Sequence, residues 1–334
     1  MHRVPFIKRP SPLKNLSFQR NSRKLVAGQS FDIVQGLSQV FPGDVYRVGE
    51  PLHIHWLGMN LANPLKRFLK YLSPRHMAIL AIERTIFRTG SYRRIIANSR
   101  MSKNQVMYYY GLTDDKIRVI YNGVDTGQFN PNDRGRMRIA SRSRLGLSQA
   151  DTVLLFAGND FKRKGLQFAL QYAIALKGQG HGMKLLVAGR GNPAPFLRMA
   201  RQRSFENNLL FLGSLADMRD AYHCADLLVH PALYEPFGNV CLEAMACGLP
   251  VATTRLNGAS EIIDHGVNGI VTDAPWDMES MISSIAKALD RDRAGLRDMA
   301  ELAAQRAAEF PLARTVDETL ALYNDVLAQK GRAS

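Results

Sequence analysis

The chain has 334 residues, of which 46% are hydrophobic and 22% charged, and it carries a formal net charge of +15. That size usually makes two domains with sizeable cores, and that composition is ordinary for a soluble globular protein. The lack of any run of 18 apolar residues excludes a membrane-spanning helix, and the basic N-terminus has no long apolar stretch of the kind a secretory signal needs. Cys224, Cys241 and Cys247 form an odd set in a long chain, which points to reduced, buried thiols in a cytoplasm and not to a disulfide framework. The charge is uneven. Residues 1–130 hold 20 Lys and Arg against 7 Asp and Glu, whereas residues 131–334 hold 24 against 22. A basic face on the first part suits nucleic acid, an anionic membrane or an acidic substrate.

In chain order, Val4-Pro5-Phe6-Ile7 reads as a short opening strand, and no glycine occurs before Gly28. Further pieces of an α/β domain follow at residues 31–35, 45–56, 95–98 and 117–121. Between them, Leu65, Phe68, Leu69 and Leu72 recur at i, i+3, i+4 and i+7, with Lys66, Arg67 and Lys70 on the other side. This pattern fits an interfacial helix on an anionic bilayer or a surface helix packing on its own core, and periodicity cannot separate the two. Residues 131–150, with Arg134, Arg136, Arg138, Arg142 and Arg144, read as a linker and lead-in. Beyond them, apolar runs at 153–157, 185–188, 209–212, 227–230 and 250–253 predict buried parallel strands. Helical patterns at 166–177, 196–202, 218–225 and 240–246 lie between these runs. The alternation predicts a doubly wound α/β domain, whose ligands bind outside the carboxyl ends of the strands. From Pro275 to about Gln329 the chain reads as two or three helices without a strand.

The chemistry concentrates in Tyr234-Glu235-Pro236-Phe237-Gly238-Asn239-Val240-Cys241-Leu242-Glu243-Ala244-Met245-Ala246-Cys247-Gly248-Leu249-Pro250-Val251. A strand, a glycine turn and a helix in that order present free amides and a positive dipole end to an anion. Carboxylates on either side of that turn suit sugar hydroxyls better than phosphate. The pattern therefore fits a sugar diphosphate: phosphate on the helix N-terminus, hydroxyls on Glu235 and Glu243. Gly158-Asn159-Asp160-Phe161-Lys162-Arg163-Lys164-Gly165 follows the first strand of the second domain. Its cations Arg163 and Lys164 are placed to stabilise charge on a departing diphosphate. Asp290-Arg291-Asp292 has the Asp-x-Asp spacing of metal-dependent sugar transfer, but it sits between arginines in a helical tail and reads as a solvated helix face. No other metal cluster is evident, so metal-independent chemistry is expected.

The Glu-x7-Glu stretch resembles that of retaining nucleotide-sugar glycosyltransferases of family four. Of these, the bacterial lipopolysaccharide-core glucosyltransferases are most similar. The resemblance implies a GT-B fold of two Rossmann-like domains facing a cleft: residues 1–125, residues 126–310, and a last helix, 311–334, returning to the first domain. Asn122-Gly123-Val124-Asp125 looks like the family's crossing between domains. The order of the two acids around the Gly238 turn leads to the expectation that Glu235 contacts the transferred sugar and Glu243 donor hydroxyls, those of the ribose. Phe237, Gly238, Asn239, Val240, Gly158, Gly189 and Arg190 line the donor. Where the family often has Arg after the first glycine of the 158–165 loop, this chain has Asn159. Asn257-Gly258-Ala259-Ser260-Glu261 resembles a second phosphate-side turn, with Glu261 either a ligand or a helix-start acid. His53, with His55 as rival, matches a first-domain histidine that bonds a sugar hydroxyl.

The implied activity is retaining transfer of a hexose, glucose from UDP-glucose, to a lipopolysaccharide-core or similar lipid-linked acceptor. It would take place on the inner face of the cell membrane, with no cofactor beyond the donor. The match begins at the family's third strand, so its first two βα units and their Gly-Gly loop are expected to be absent. That makes a catalytically inactive nucleotide-sugar-binding or scaffolding homologue the alternative, and slow turnover the expectation. Nucleic-acid binding is not expected: it would rest on charge alone, without aromatic platforms or a recognised motif.

Overall fold

The computed structural model describes residues 3–7, 9, 11–37, 42–59, 70–88, 90, 92–289 and 294–331. The chain divides into two compact units, Met1–Tyr121 with Thr315–Ser334, and Asn122–Arg314.

The first unit opens with helix α1 (Ser11–Ala27) and carries a four-stranded parallel sheet in sequential order: β1 (Gln35–Gly36), β2 (Val45–Val48), β3 (Arg94–Ala97) and β4 (Ile117–Val119). Helices α2 (His53–Met59), α3 (Pro74–Arg88) and α4 (Arg100–Tyr110) lie between the strands. Strand alternation divides the core. Val48, Ile95 and Ala97 pack with Ile82 and Ile86 of α3 and Val106 of α4, while Val45 and Ile96 belong to a separate cluster with Ile120.

The expected opening strand does not form. The Pro5 carbonyl accepts from Asn21 Nδ2 at 2.8 Å and the Ile7 amide donates to Ser17 Oγ at 3.0 Å, so the stretch runs along α1. Pro5, having no N–H, could not have donated to a ladder. The stretch at 31–35 contributes only the two residues of β1, and 45–56 breaks at Gly49 to Pro51 into β2 and α2. Residues 63–69 of the proposed interfacial helix and Asp290-Arg291-Asp292 lie outside the described residues.

The second unit alternates α5 (Arg134–Arg144), β5 (Thr152–Ala157), α6 (Leu166–Gly178), β6 (Met183–Ala188), α7 (Ala194–Gln202), β7 (Leu209–Gly213), α8 (Arg219–Cys224), β8 (Leu227–His230), α9 (Asn239–Ala246), β9 (Val251–Thr254), β10 (Gly269–Thr272), α10 (Met278–Leu289) and α11 (Ala294–Ala308). The sheet order is β10-β9-β8-β5-β6-β7, with every pairing parallel. Every residue of β5 and of β8 is buried. That is why these strands read as unbroken apolar runs in the sequence. The chain moves from β5 through β6 to β7, then returns to place β8 on the other side of β5. The topological switch point therefore lies at the carboxyl ends of β5 and β8.

The predicted linker is instead helix α5, and three of its arginines are bonded inward. Arg142, fully buried, donates to the carbonyls of Ser148, Gln149 and Asp151 at 3.0–3.1 Å, to the Cys224 carbonyl at 3.0 Å and to Asp226 Oδ2 at 2.9 Å. Arg138 reaches Asp226 Oδ1 at 2.6 Å, and Arg134 reaches the carbonyls of Ala225 and Cys247 at 3.0 and 3.3 Å. Those carbonyls are the last, otherwise unpartnered groups of α8 and α9, where the helix dipole is negative. The three cysteines are free and buried.

The chain leaves the second unit beside Val124, whose amide and carbonyl bond Phe310 and Leu312 at 2.9 Å each. The last helix, α12 (Leu312–Gly331), covers the β2–β4 sheet with Leu322 and Val326. Thr315 Oγ1 donates to the Tyr121 carbonyl at 2.9 Å, and Lys330 Nζ to the Asp32 carbonyl at 2.7 Å. Among the described residues, no helix is long and apolar enough to cross a membrane.

Candidate functional site

Two loops meet at the switch point. The loop after β5 runs from Gly158 to Gly165, and the loop after β8 runs from Pro231 to Gly238. The Leu233 amide donates to the Arg163 carbonyl at 2.9 Å. Gly165 adopts φ 82° and lies so close that a Cβ there would be 1.9 Å from the Pro231 carbonyl oxygen. Only glycine permits both the angle and the approach.

This junction brings Arg163, Lys164 and Glu235 together. Lys164 Nζ bonds Glu235 Oε2, and Arg163 Nη1 reaches the same oxygen at 3.2 Å and the Tyr234 carbonyl at 3.0 Å. Arg163 Nε also faces Asp160 Oδ2 at 3.4 Å. The Glu235 side chain is 13% exposed and that of Lys164 14%. Burial pushes the Glu235 carboxyl up, but the Lys164 ammonium, helped by Arg163, outweighs it and holds the group below the usual carboxylate range.

Glu235 is fixed on its other side by backbone bonds. Its amide donates to the Leu256 carbonyl, and its carbonyl accepts from Gly258, both at 2.9 Å. Gly238, at φ 74°, starts α9, and a Cβ there would press on Asn257 Oδ1 at 2.8 Å. The first-turn amides of α9, among them those of Asn239 and Val240, have no carbonyl partner within the helix. Phe237 is buried behind them. One turn on, Glu243 Oε2 accepts from Tyr222 Oη at 2.7 Å. Burial raises the Tyr222 phenol, and the Glu243 charge raises it further, so it stays a donor. The Asn257 turn is a short 3-10 helix, Gly258–Ile262, that includes the half-buried Glu261.

Gly158, Asn159, Gly189 and Arg190 form the adjoining edge. The Arg190 amide donates to Asn159 Oδ1 at 2.7 Å. Gly189, at φ 131°, passes so close that a Cβ would lie 2.2 Å from the Gly158 carbonyl oxygen. Asn159, which stands where the family often has arginine, thus serves as the latch between the β5 and β6 loops.

His53 belongs to the first unit. Its amide starts α2 and donates to Glu83 Oε2 at 2.6 Å, and its Nε2 shares a 2.9 Å hydrogen bond with His76 Nδ1. The ring stacks on Trp56. Burial, with the neighbouring His76 and Arg75, lowers the His53 pKa to about 4, so the imidazole is neutral at pH 7. His55 meets Tyr109 Oη at 3.0 Å and Gln105 Nε2 at 3.3 Å.

Two participants, Tyr222 and His230, escaped the sequence reading, and a third, Asn257, was named only as the start of a turn. Tyr222 partners Glu243 from α8. Asn257 is fully buried and joins Thr253, Ala259 and Cys241 beneath Gly238. His230 ends β8 under the same turn. A polar residue closing an apolar strand next to a glycine turn was the available signal for His230.

A buried carboxylate held by two cations, beside a helix N-terminus and behind a second carboxylate, can bind an anion and sugar hydroxyls together. Comparison with known proteins gives the family. The model of Glycosyl transferases group 1 matches residues 137–307, and that of Glycosyltransferase Family 4 matches residues 1–128. The chain is 28% identical over 225 residues to the lipopolysaccharide glucosyltransferase WaaG of Escherichia coli, covering 67% of this chain and 60% of the relative. It superposes on the crystal structure of a WaaG glycosyltransferase involved in lipopolysaccharide biosynthesis with a TM-score of 0.82 at 24% identity, over 96% of this chain and 86% of the other. It also superposes on HepE of Anabaena in complex with UDP and glucose, with a TM-score of 0.66 at 21% identity, over 93% and 76% of the two chains. The chain spans about half the length of the curated relatives it matches. With two parallel-sheet Rossmann-like domains of the GT-B fold and a family match from residue 137 to 307, the chain belongs to the glycosyl transferases group 1.

Proposed function

We propose that the chain is a retaining hexosyltransferase that moves glucose from UDP-glucose to a lipid-linked saccharide of the lipopolysaccharide-core type. The observation that carries the reading is the convergence of Arg163, Lys164 and Glu235 at the switch point, next to the N-terminus of α9. The donor is a substrate, and no further cofactor is invoked. Its diphosphate would draw Arg163 and Lys164 and take the first-turn amides of α9. Glu235 would then be released to hold hydroxyls of the transferred sugar, and Glu243 would hold the ribose. As the diphosphate departs, negative charge develops where two cations and a helix dipole already point, so little reorganisation is needed. The acceptor hydroxyl enters from the face the diphosphate leaves, and configuration is retained. The neutral His53 would bond a sugar hydroxyl from the first unit. The UDP-bound HepE and the WaaG relative support the choice of donor and acceptor class. The excess of basic residues in 1–130 supports docking on the anionic inner face of the cell membrane, where such an acceptor is anchored.

Isothermal titration with UDP, UDP-glucose and other nucleotide sugars, with and without EDTA, tests the donor. UDP binding that survives EDTA is expected, and a folded sample that binds none of them would refute the reading. Incubation with UDP-glucose and lipid-linked core saccharide, followed by anomer analysis of the product, tests the transfer and its stereochemistry.

A further inference from the structure

His230 is fully buried at the carboxyl end of β8, stacked on Phe156, and its Nε2 has no hydrogen-bond partner among the described residues. The network around it determines which nitrogen carries the proton. The Ala259 amide donates to Asn257 Oδ1 at 3.1 Å, which orients the Asn257 amide. Its Nδ2 therefore faces Thr253 Oγ1 at 3.0 Å and His230 Nδ1 at 3.3 Å. The Thr253 hydroxyl gives its hydrogen to the His230 carbonyl at 2.8 Å, so its oxygen accepts from Asn257. Asn257 Nδ2 also meets Cys241 Sγ at 3.3 Å; because this nitrogen can only donate, the His230 Nδ1 that faces it is assigned without a proton, and the ring proton is assigned to Nε2. Burial, with Lys164 next, lowers the His230 pKa to about 3, so the ring stays neutral at any physiological pH. The result is a fixed N–H donor, buried and unused. Such groups are rare, because an unmade buried hydrogen bond costs free energy.

The orphan donor lies where the charges are held. The residue after it, Pro231, is the one that Gly165 packs against, and the β5 loop that carries Arg163 and Lys164 is bonded to the β8 loop at Leu233. In the structure both cations rest on Glu235. On the donor reading proposed above, a diphosphate takes both cations away and leaves Glu235 a buried carboxylate short of donors. We infer that His230 is a positioning residue whose Nε2–H takes up Glu235 when Arg163 and Lys164 turn to the diphosphate. The imidazole would then keep the carboxylate ionised and aimed through the exchange, and no proton would move. The unpartnered donor gains a partner when the diphosphate binds, so part of the diphosphate affinity comes from a residue that does not touch it.

The test is a double-mutant cycle on UDP affinity, measured by titration calorimetry on the whole chain. His230→Phe keeps a ring and removes the Nε2–H donor together with the Nδ1 acceptor that faces Asn257. It should weaken UDP about tenfold, the scale of a hydrogen bond to a charged group. In a Glu235→Gln background, where no carboxylate is stranded, the same change should alter UDP affinity by less than about twofold. An equal loss in both backgrounds, or no loss in either, would overturn the inference while leaving the donor reading intact. A wild type that binds no UDP overturns both. If His230→Phe does not fold, His230→Gln and His230→Met form a matched pair with and without a donor. Gln should bind UDP about tenfold tighter than Met, and equal affinities would refute the role.

Discussion

Glu235 receives two cations on one carboxylate oxygen, and that contact governs how it responds to acid. Its pKa in the folded state lies below the ordinary 4.5 because Lys164 and Arg163 outweigh the effect of burial. A carboxyl with a depressed folded pKa contributes stability that is fully present above its unfolded value and is lost as pH falls through the folded one. Glu235→Gln should therefore cost about 3 kcal/mol at pH 7, the lower end for breaking a buried pair. The gap to wild type should narrow progressively below pH 4.5, and thermal melts between pH 3 and 7 would show both. A constant gap across that range would mean that the carboxylate charge is not what holds Arg163 and Lys164. Glu243 makes a different prediction. Glu243→Ala should weaken UDP itself by about 1.5–3 kcal/mol, whereas Tyr222→Phe, which removes only the supporting phenol, should do less. Unchanged UDP affinity in Glu243→Ala would count against a ribose contact. The spacing of Glu235 and Glu243 around a glycine turn was legible in the sequence because both are local to one turn and one helix. His230 and Tyr222 were not, because each enters from another element and its role exists only once the loops have met; Asn257 was legible as the start of a turn, but not as the buried bridge beneath Gly238.

Between elements, the arginines of α5 are the clearest case of a pattern that misleads. Five arginines in eleven residues read as part of a linker and lead-in, since charged side chains are seldom buried. Here the carbonyl ends of α8 and α9 and the carboxylate of Asp226 form a polar seat for three guanidinium groups. Nothing in the local sequence announces that seat. Arg142→Met should destabilise the chain by about 3–5 kcal/mol, because it leaves Asp226 short of a partner and three loop carbonyls without donors. Urea denaturation would measure it, and a loss below about 1 kcal/mol would mean that water or Arg138 replaces the contact. The strands β5 to β9 were read to within two residues, since burial on both faces makes β5, β8 and β9 unbroken buried runs and β6 nearly so, while β7 is apolar though half-exposed. β10 was passed over: Gly269-Ile270-Val271-Thr272 is short and opens on glycine. Helix α1 was missed because its apolar residues follow no clear period among ten polar ones. Gly165→Ala probes the junction itself. Strained φ and the contact with Pro231 should force the two loops apart, and both melting temperature and UDP affinity should fall. A variant that loses neither would show that the β5 and β8 loops can separate at no cost to the site.

At the scale of the whole chain, the dominant property is the concentration of positive charge in the first 130 residues. The stripe from Leu65 to Leu72 that suggested a membrane contact lies mostly outside the described residues, but the first unit presents another surface of the same character. On α1, Leu13 and Leu16 are exposed beside Lys14, Arg20, Arg23 and Lys24, and Phe6 and Ile7 are exposed along the same helix. Its first turn carries no acidic residue; Ser22 is buried, while Phe18 and Asn21 are half-buried against Phe6 and the Pro5 carbonyl. Exposed leucines among lysines and arginines are costly in water and favourable at an anionic interface, where apolar side chains enter the headgroup layer and the cations stay with the lipid phosphates. Each such cation contributes about 1 kcal/mol near an anionic surface and less as salt rises. Vesicle co-sedimentation is expected to require anionic lipid and to weaken with salt. Changing Lys14, Arg20, Arg23 and Lys24 to Gln should reduce partitioning at least about tenfold at low salt. Changing Leu13 and Leu16 to Ser should reduce it further at high salt, where the electrostatic part is screened. If the quadruple variant binds vesicles like wild type while retaining UDP affinity, α1 is not the docking surface, and the charge of the first unit serves another anion.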